Sequence, residues 1–168
     1  MNYDKFIRKT LFDFLDENIS INEYLALQPT NTPDLTDEIV NKFTEAYIEK
    51  KSGIVDLLLI AAVHSGPSKK YSSILEKLLE ADWVYNQENM ISFLGDIKDP
   101  STAGVLYRMI DKPVPGSFYG SHKVKCVWAL ANIDSEIAII YLKTLTKSCD
   151  NMVRFNAEEI LKEKKISY

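Results

Sequence analysis

Three stretches decide the fold: residues 87–97 (QENMISFLGDI), residues 123–133 (KVKCVWALANI) and residues 153–163 (VRFNAEEILKE). Within them Leu94, Leu130 and Leu161 hold equivalent places, separated by 36 and 31 residues. Apolar residues recur in each stretch at intervals of three and four, which is the period of an amphipathic helix. The three stretches therefore indicate one type of helix that returns at a nearly constant interval.

A second type of helix alternates with the first. Its residues at equivalent positions, apolar except for Thr146, are Ile74, Leu75, Leu78 and Leu79, then Val105, Leu106, Met109 and Ile110, then Tyr141, Leu142, Leu145 and Thr146. The three sets are separated by 31 and 36 residues, and the difference falls in residues 111–121, DKPVPGSFYGS, whose prolines and glycines mark a longer loop. Alternating helices at this period predict an α-solenoid, because each helix pair has an apolar face that only its neighbours cover.

The N-terminal third also reads as helix. Apolar stripes predict helices over residues 3–16 and 35–50, and residues 54–63, apolar all round, predict a helix covered on several sides. Residues 28–33 form a loop with two prolines, and Asp34 is the expected N-cap of the helix that follows.

We therefore expect an all-α protein of about nine helices without strands. The expected organisation is one domain, residues 1–168, with a helical N-terminal cap over residues 1–52 and helix-pair repeats over residues 53–168.

The repeats resemble the short HEAT repeats of phycobilisome lyase-like proteins, whose second helix commonly reads V-R-x-x-A-A-x-A-L-G before D-P and the next helix. The matching segments are residues 94–100 (LGDIKDP), residues 126–131 (CVWALA) and residues 153–157 (VRFNA). Asp99 is expected to cap the next helix, with Pro100 at its first position, where a missing N–H is harmless. The resemblance implies HEAT-like antiparallel helix pairs over roughly residues 53–165.

Charge is unevenly distributed. The net charge of −4 comes from the first third of the chain, since residues 53–168 carry equal numbers of acidic and basic groups. Between Leu11 and Glu49, nine acidic residues accompany one base, a local charge of −8. Such a field repels nucleic-acid phosphates, so we expect no direct nucleic-acid binding. The block is either a solvated face of two helices or a landing surface for a basic partner, with Asp34, Asp37 and Glu38 as candidate contacts.

The expected compartment is the cytoplasm. The longest apolar run, residues 57–63, is far below the ~20 residues that a bilayer span requires. The N-terminal MNYDKFIRK lacks the cationic-then-apolar order of a signal peptide. Two cysteines, Cys126 and Cys149, do not make a disulfide framework, as expected in a reducing environment.

Motifs for catalysis are not found in the sequence. His64 and His122 belong to no recognised metal-ligand spacing, and no Gly-x-Ser-x-Gly elbow, Walker loop or dinucleotide fingerprint occurs. Cys126 lies on a packing helix and is expected in the core. We therefore expect a non-enzymatic protein with no cofactor, no metal ion and no small-molecule substrate.

A partner-binding surface is easier to identify. If the second helix of each pair lines the concave side, positions two, three and six should face outward, counted from Gln87, Lys123 and Arg154 as position one. These positions hold Glu88, Asn89, Ser92, Val124, Lys125, Trp128, Phe155, Asn156 and Glu159. Exposed aromatics flanked by acids and amides are typical of a recognition hot spot, whereas a shifted register would bury Trp128 in the core. Secondary candidates are Phe118, Tyr119, Asp82, Trp83 and Tyr85.

These features together are similar to those of HEAT-like immunity proteins of polymorphic and contact-dependent toxin systems. The resemblance implies a bacterial immunity protein that binds and neutralises a cognate toxin domain, of the basic nuclease type. One alternative is a scaffold or adaptor of another complex. Another is a lyase-like HEAT protein acting on a tetrapyrrole-bearing partner, for which the chain offers no cofactor-handling cluster.

Overall fold

The computed structural model describes residues 3–27, 34–114, 117 and 120–168, and within these ranges it is helical without strands. The α-helices of these ranges are α1 Tyr3–Leu15, α2 Ile21–Leu27, α3 Thr36–Glu49, α4 Ser52–Ser65, α5 Ser72–Glu80, α6 Gln87–Ile97, α7 Ala103–Met109, α8 Ser121–Ile133, α9 Glu136–Leu145 and α10 Asn151–Glu163. Two 3₁₀ turns, Lys69–Tyr71 and Pro100–Thr102, precede α5 and α7. The prediction of an all-α protein is confirmed.

The count of about nine helices is wrong by one, because α2 was not predicted. This helix has only seven residues, too few to show a helical period. It begins with a capping box, in which the backbone N–H of Ser20 donates to Glu23 Oε2 at 2.8 Å and the N–H of Glu23 donates to Ser20 Oγ at 3.2 Å. Its buried Tyr24 stacks on Phe14, with the ring centroids 4.4 Å apart.

The chain forms two compact units, residues 1–71 and residues 72–168. In the first, α1 packs on α2 and α4, and α3 packs on α4 and on the turn Lys69–Tyr71. Helix α4 buries Leu58 and Leu59, but Val63 is 54% exposed, so this apolar helix is covered on only part of its surface. The expected division of the chain at residue 52, between a cap and repeats, stays a prediction.

In the second unit α8 is the central helix, in contact with α6, α7, α9 and α10. Its most extensive contact is with α6, where Gly95 lies against Ala129. A Cβ atom placed on Gly95 would lie 2.9 Å from Ala129 Cα, which is nearer than real Cβ atoms approach backbone. The absence of a side chain at Gly95 therefore sets the distance between the two helices.

The junction between α6 and α7 follows the prediction. Asp99 Oδ1 accepts the backbone N–H of Ser101 at 3.1 Å, and Pro100 is the first residue of the turn that leads into α7. The other carboxylate oxygen of Asp99 accepts the hydroxyl of Ser72 at 2.7 Å. One carboxylate thus caps the turn and ties it to the start of α5.

The first prediction tests the close approach of α6 and α8. Replacing Gly95 by alanine improves the intrinsic helix propensity by about 1 kcal/mol but forces the helices apart, and overpacking typically costs about 1–3 kcal/mol. We expect Gly95→Ala to lower the free energy of unfolding in urea.

Gly104→Ala on α7 is the matched control. The added Cβ would meet Arg108 Nη1 at 3.7 Å and Tyr141 Oη at 3.8 Å, which are ordinary contacts. This variant should be as stable as the wild type or slightly more stable. Equal stability of Gly95→Ala and Gly104→Ala would contradict the role given to Gly95.

Candidate functional site

Helices α6, α8 and α10 carry the predicted partner-binding residues, and α8 contacts both of the others. None of these nine residues is buried. Asn89, Ser92, Trp128 and Phe155 are exposed, and the half-buried residues are Glu88, Val124, Lys125, Asn156 and Glu159. We call this set of nine residues the outer surface. The structure brings them onto three neighbouring helices of one compact unit, and their role in binding stays a prediction.

Trp128 is the large aromatic residue on the central helix of the outer surface. Its side chain is 45% exposed, so the alternative register, in which it is core, does not hold. The indole Nε1–H donates to Asn156 Oδ1 at 3.2 Å. The amide of Asn156 is held in turn, because its Nδ2 donates to the carbonyl of Met152 at 2.8 Å. The indole is thus fixed across the line where α8 meets α10.

Glu88 and Lys125 link α6 to α8 on the same surface. Lys125 Nζ lies 2.8 Å from Glu88 Oε2, and the hydroxyl of Ser121 donates to Glu88 Oε1. Burial raises the pKa of Glu88, but hydrogen bonds from Lys125, Ser121 and Ser117 and the charge of Lys125 outweigh it, lowering the pKa to about 2. The carboxylate is therefore ionised and held in place.

Sequence reasoning missed one prominent residue of this region. Met152 on α10 is 59% exposed, beside Phe155 at 61%. It lies one helical turn before Asn156, and this i, i+4 spacing was a signal that could have identified it. The exposed apolar area of the region is therefore larger than the nine predicted residues alone would give, because Met152 adds to it.

The acidic candidates Asp34, Asp37 and Glu38 lie in the first compact unit, and each has a partner within it. Asp34 Oδ1 accepts the backbone N–H of Thr36 at 2.9 Å, and hydrogen bonds from Thr36 lower the pKa of Asp34. Asp37 Oδ1 lies 2.8 Å from Lys70 Nζ, and Glu38 forms an ion pair with Arg8.

Bases from outside residues 11–49 therefore offset part of the local charge. They are Arg8, Lys9, Lys51 and Lys70, which pair with Glu38, Asp13, Glu49 and Asp37. The count of −8 from the sequence overstates the field at this surface, because it omits bases that the fold brings to it.

The two histidines and Cys126 are engaged in packing, whereas Cys149 is exposed. His122 is 4% exposed and its Nδ1 lies 2.8 Å from Ser117 Oγ, and burial lowers its pKa. Cys126 is fully buried, and burial raises the pKa of its thiol to about 12. His64 packs edge-on against Tyr24, with ring centroids 6.2 Å apart. Among the described residues, no three potential metal ligands lie together.

The secondary candidates differ in position. Tyr85 is 66% exposed, Asp82 is exposed and Trp83 is half-buried, all in the connection between α5 and α6. Phe118 and Tyr119, and the loop predicted over residues 28–33, lie outside the described residues. None of the described helices combines the length and the apolar composition that a membrane span requires.

Comparison with known protein families, with curated proteins and with solved structures gives no match. The functional assignment therefore depends on the geometry and chemistry of the chain itself.

The second prediction concerns the link between α6 and α8. The folded pKa of Glu88, about 2, lies below its ordinary value of 4.5, so the folded state binds this proton less readily than the unfolded state. The contribution of Glu88 to stability is complete above about pH 4.5 and is lost as the pH falls toward about 2. The difference in free energy of unfolding between wild type and Glu88→Gln should therefore shrink over this range in urea titrations.

Glu76→Gln on α5 provides a control of opposite sign. Burial raises the pKa of Glu76, so its charged form is disfavoured in the folded state. The free energy of unfolding of Glu76→Gln, relative to that of the wild type, should therefore be higher at neutral pH than in acid. If the two variants show the same pH trend, the ion pair between Glu88 and Lys125 does not stabilise the fold.

Proposed function

We propose that this chain is a non-enzymatic protein-binding module, specifically a bacterial immunity protein that binds and neutralises a cognate toxin domain in the cytoplasm. The toxin is a basic protein of the nuclease type, delivered by a polymorphic or contact-dependent growth inhibition system. The module acts by plugging the active site of the toxin or by blocking its access to nucleic acid or to a helper protein.

The proposed architecture of the second unit is a HEAT-like α-solenoid. Its support is the order of helix contacts. Helices α5, α7 and α9 contact one another in turn, as do α6, α8 and α10. Each helix of the first series also contacts the next helix in the chain, in the pairs α5 and α6, α7 and α8, and α9 and α10. Stacked helix pairs produce this order of contacts.

The observation that carries the proposed function is the exposure of Trp128 at the centre of the outer surface. Trp128 is 45% exposed, and Phe155 on the neighbouring helix α10 is 61% exposed. Together they leave apolar aromatic area in water. Such area is typical of the anchor residues of protein interfaces, where tryptophan is enriched. Polar neighbours such as Asn89 and Ser92 supply the rim that surrounds an anchor.

The acidic character of the chain supports a basic partner. Attraction between an acidic module and a basic toxin accelerates their encounter, and the same charge repels nucleic acid. We propose no cofactor, no metal ion, no membrane contact and no small-molecule substrate. A neighbouring gene for a large secreted protein with a nuclease-like C-terminal end would identify the toxin and distinguish an immunity protein from a scaffold.

The third prediction is that Trp128 anchors the partner. Trp128→Ala should weaken binding of the co-encoded toxin domain by about 2 kcal/mol, the range of an interface anchor. Dissociation should become roughly 30-fold faster while association stays nearly unchanged, as measured by surface plasmon resonance.

Ile140→Ala on α9 is the matched control, because Ile140 is 49% exposed but lies outside the outer surface. It should bind like the wild type, and circular dichroism should show both variants folded. Unchanged dissociation of Trp128→Ala would exclude this residue as the anchor.

The fourth prediction concerns steering by the first unit. Reversing Asp37 and Glu38 to lysine should slow association several-fold at low salt, because both carboxylates are on its surface. The effect should shrink as salt approaches about 0.5 M, where the screening length falls to about 4 Å. Asp34 is left intact in this variant, since it accepts the N–H of Thr36.

A double reversal of Glu136 and Glu158 in the second unit changes the net charge by the same amount. If it slows association equally, net charge steers the encounter. If neither variant changes the association rate at low salt, the acidic block is only a solvated face.

A further inference from the structure

The hydrogen-bond donor of Trp128 is already used within the protein. Indole has a single donor, Nε1–H, and this donor is bound to Asn156 Oδ1 at 3.2 Å. The bond turns the donor edge of the ring toward α10. A partner that contacts the exposed part of the ring therefore meets a π surface and finds no hydrogen-bond donor on it.

An aromatic face carries negative potential, and it attracts cations placed over it. Lysine and arginine both bind in this way. A partner residue that is a carboxylate or a hydrogen-bond acceptor gains nothing from such a ring.

Carboxylates follow Asn156 along the same stripe of α10. Glu159 lies one turn beyond Asn156 and Glu163 a second turn beyond, and residues at this spacing have Cβ atoms about 5–6 Å apart. Lys162 Nζ reaches Glu159 Oε1 only at 3.7 Å, and the lysine side chain is 75% exposed. The nearby Lys125 is held by Glu88 at 2.8 Å. Glu159 is thus accessible to a cation from outside.

An aromatic ring bound to Asn156, with a carboxylate one turn beyond Asn156 on the same helix, favours a long, planar cation. A guanidinium stacks flat on indole while its N–H groups reach a carboxylate at its edge, and it is weakly hydrated. A lysine ammonium is a compact, strongly hydrated point charge, and cannot do both equally well.

We infer that the outer surface receives an arginine side chain of the partner, stacked on the indole of Trp128 and paired with Glu159. This inference rests on the proposed function, in which this surface binds a basic protein. It names the partner residue that the anchor selects.

The experiment uses the full chain and three blocked pentapeptides, Gly-Arg-Gly-Arg-Gly and its lysine and citrulline counterparts. Citrulline keeps the planar shape of arginine without the charge. Binding is followed by nitrogen–proton NMR of the two indole N–H groups that the sequence provides, Trp83 and Trp128, and of the backbone amide of Asn156.

We expect the arginine peptide to shift the Trp128 and Asn156 signals in a saturable way. The lysine peptide should need about two- to five-fold more peptide for the same shift, which is the factor lost when a cation gives up its contact with an exposed ring. The citrulline peptide should leave both signals unchanged.

Two variants test the two contacts separately. Trp128→Leu, followed at the Asn156 amide, should abolish the preference for arginine over lysine. Glu159→Gln should weaken binding of both cationic peptides, whereas the control Glu136→Gln on α9 should not. Equal response to arginine and lysine, or an arginine preference that persists in Trp128→Leu, would overturn the inference.

The outcome is separable from that of the proposed function. If the toxin domain binds in a Trp128-dependent manner while the peptides show no arginine preference, the proposed function stands and this inference fails. If the peptides bind as expected but the toxin domain does not depend on Trp128, the proposed function fails at this surface.

Discussion

The close packing of Gly95 on Ala129 is the contact on which the outer surface depends. Because a Cβ atom at Gly95 would lie 2.9 Å from Ala129 Cα, α6 and α8 can lie this close only without that side chain. The inner side of α8 is buried, with Ala129 2% and Leu130 0% exposed, and Ala129 lies directly against Gly95 of α6. A helix held on one side presents a defined opposite side, so the direction of Trp128 follows from packing elsewhere on the helix. The ion pair of Glu88 with Lys125 joins the same two helices, and its directional contact helps to fix their relative position along the helix axes.

Charge in this protein is organised across elements more than along the chain. Lys70 pairs with Asp37 and Arg8 pairs with Glu38, in both cases from residues distant in sequence. Such exposed pairs contribute little to stability, about 0–1 kcal/mol each, but they redistribute the local field. A surface on which carboxylates outnumber their internal partners can still attract a cation. On α10, Glu159 and Glu163 meet this condition, with the loosely paired Lys162 between them.

Helical periodicity was sufficient to predict the all-α fold, because it depends on the spacing of apolar residues along each helix. The sequence left open whether Trp128 faces outward or lies in the core, and the structure places it on the surface. The cap at Asp99 and Pro100 was also predictable, since it is a local interaction. Helix α2 was not predicted because its seven residues span less than two full turns, too few to show a regular apolar pattern. The capping box at its start, Ser20 and Glu23, is nevertheless visible in the sequence. The network around Glu88 joins α6 to Ser121 and Lys125 of α8. It could not be predicted, because the spacing of residues along the sequence does not show which residues of two helices meet.

The contacts of α8 divide between two sides with different consequences for change. Substitution of Ala129 on the inner side of α8, or of Gly95 on the facing side of α6, changes the distance between the two helices and so acts on the fold. The outer side holds Trp128 through one hydrogen bond to Asn156, which immobilises the ring and reduces the entropy that binding must remove. Trp128 on the outer side and Ala129 on the inner side therefore belong to different contacts of one helix. Substitution of Trp128 or Asn156 therefore leaves the contact of Gly95 with Ala129 intact, so the proposed binding surface can be altered without changing the distance between α6 and α8.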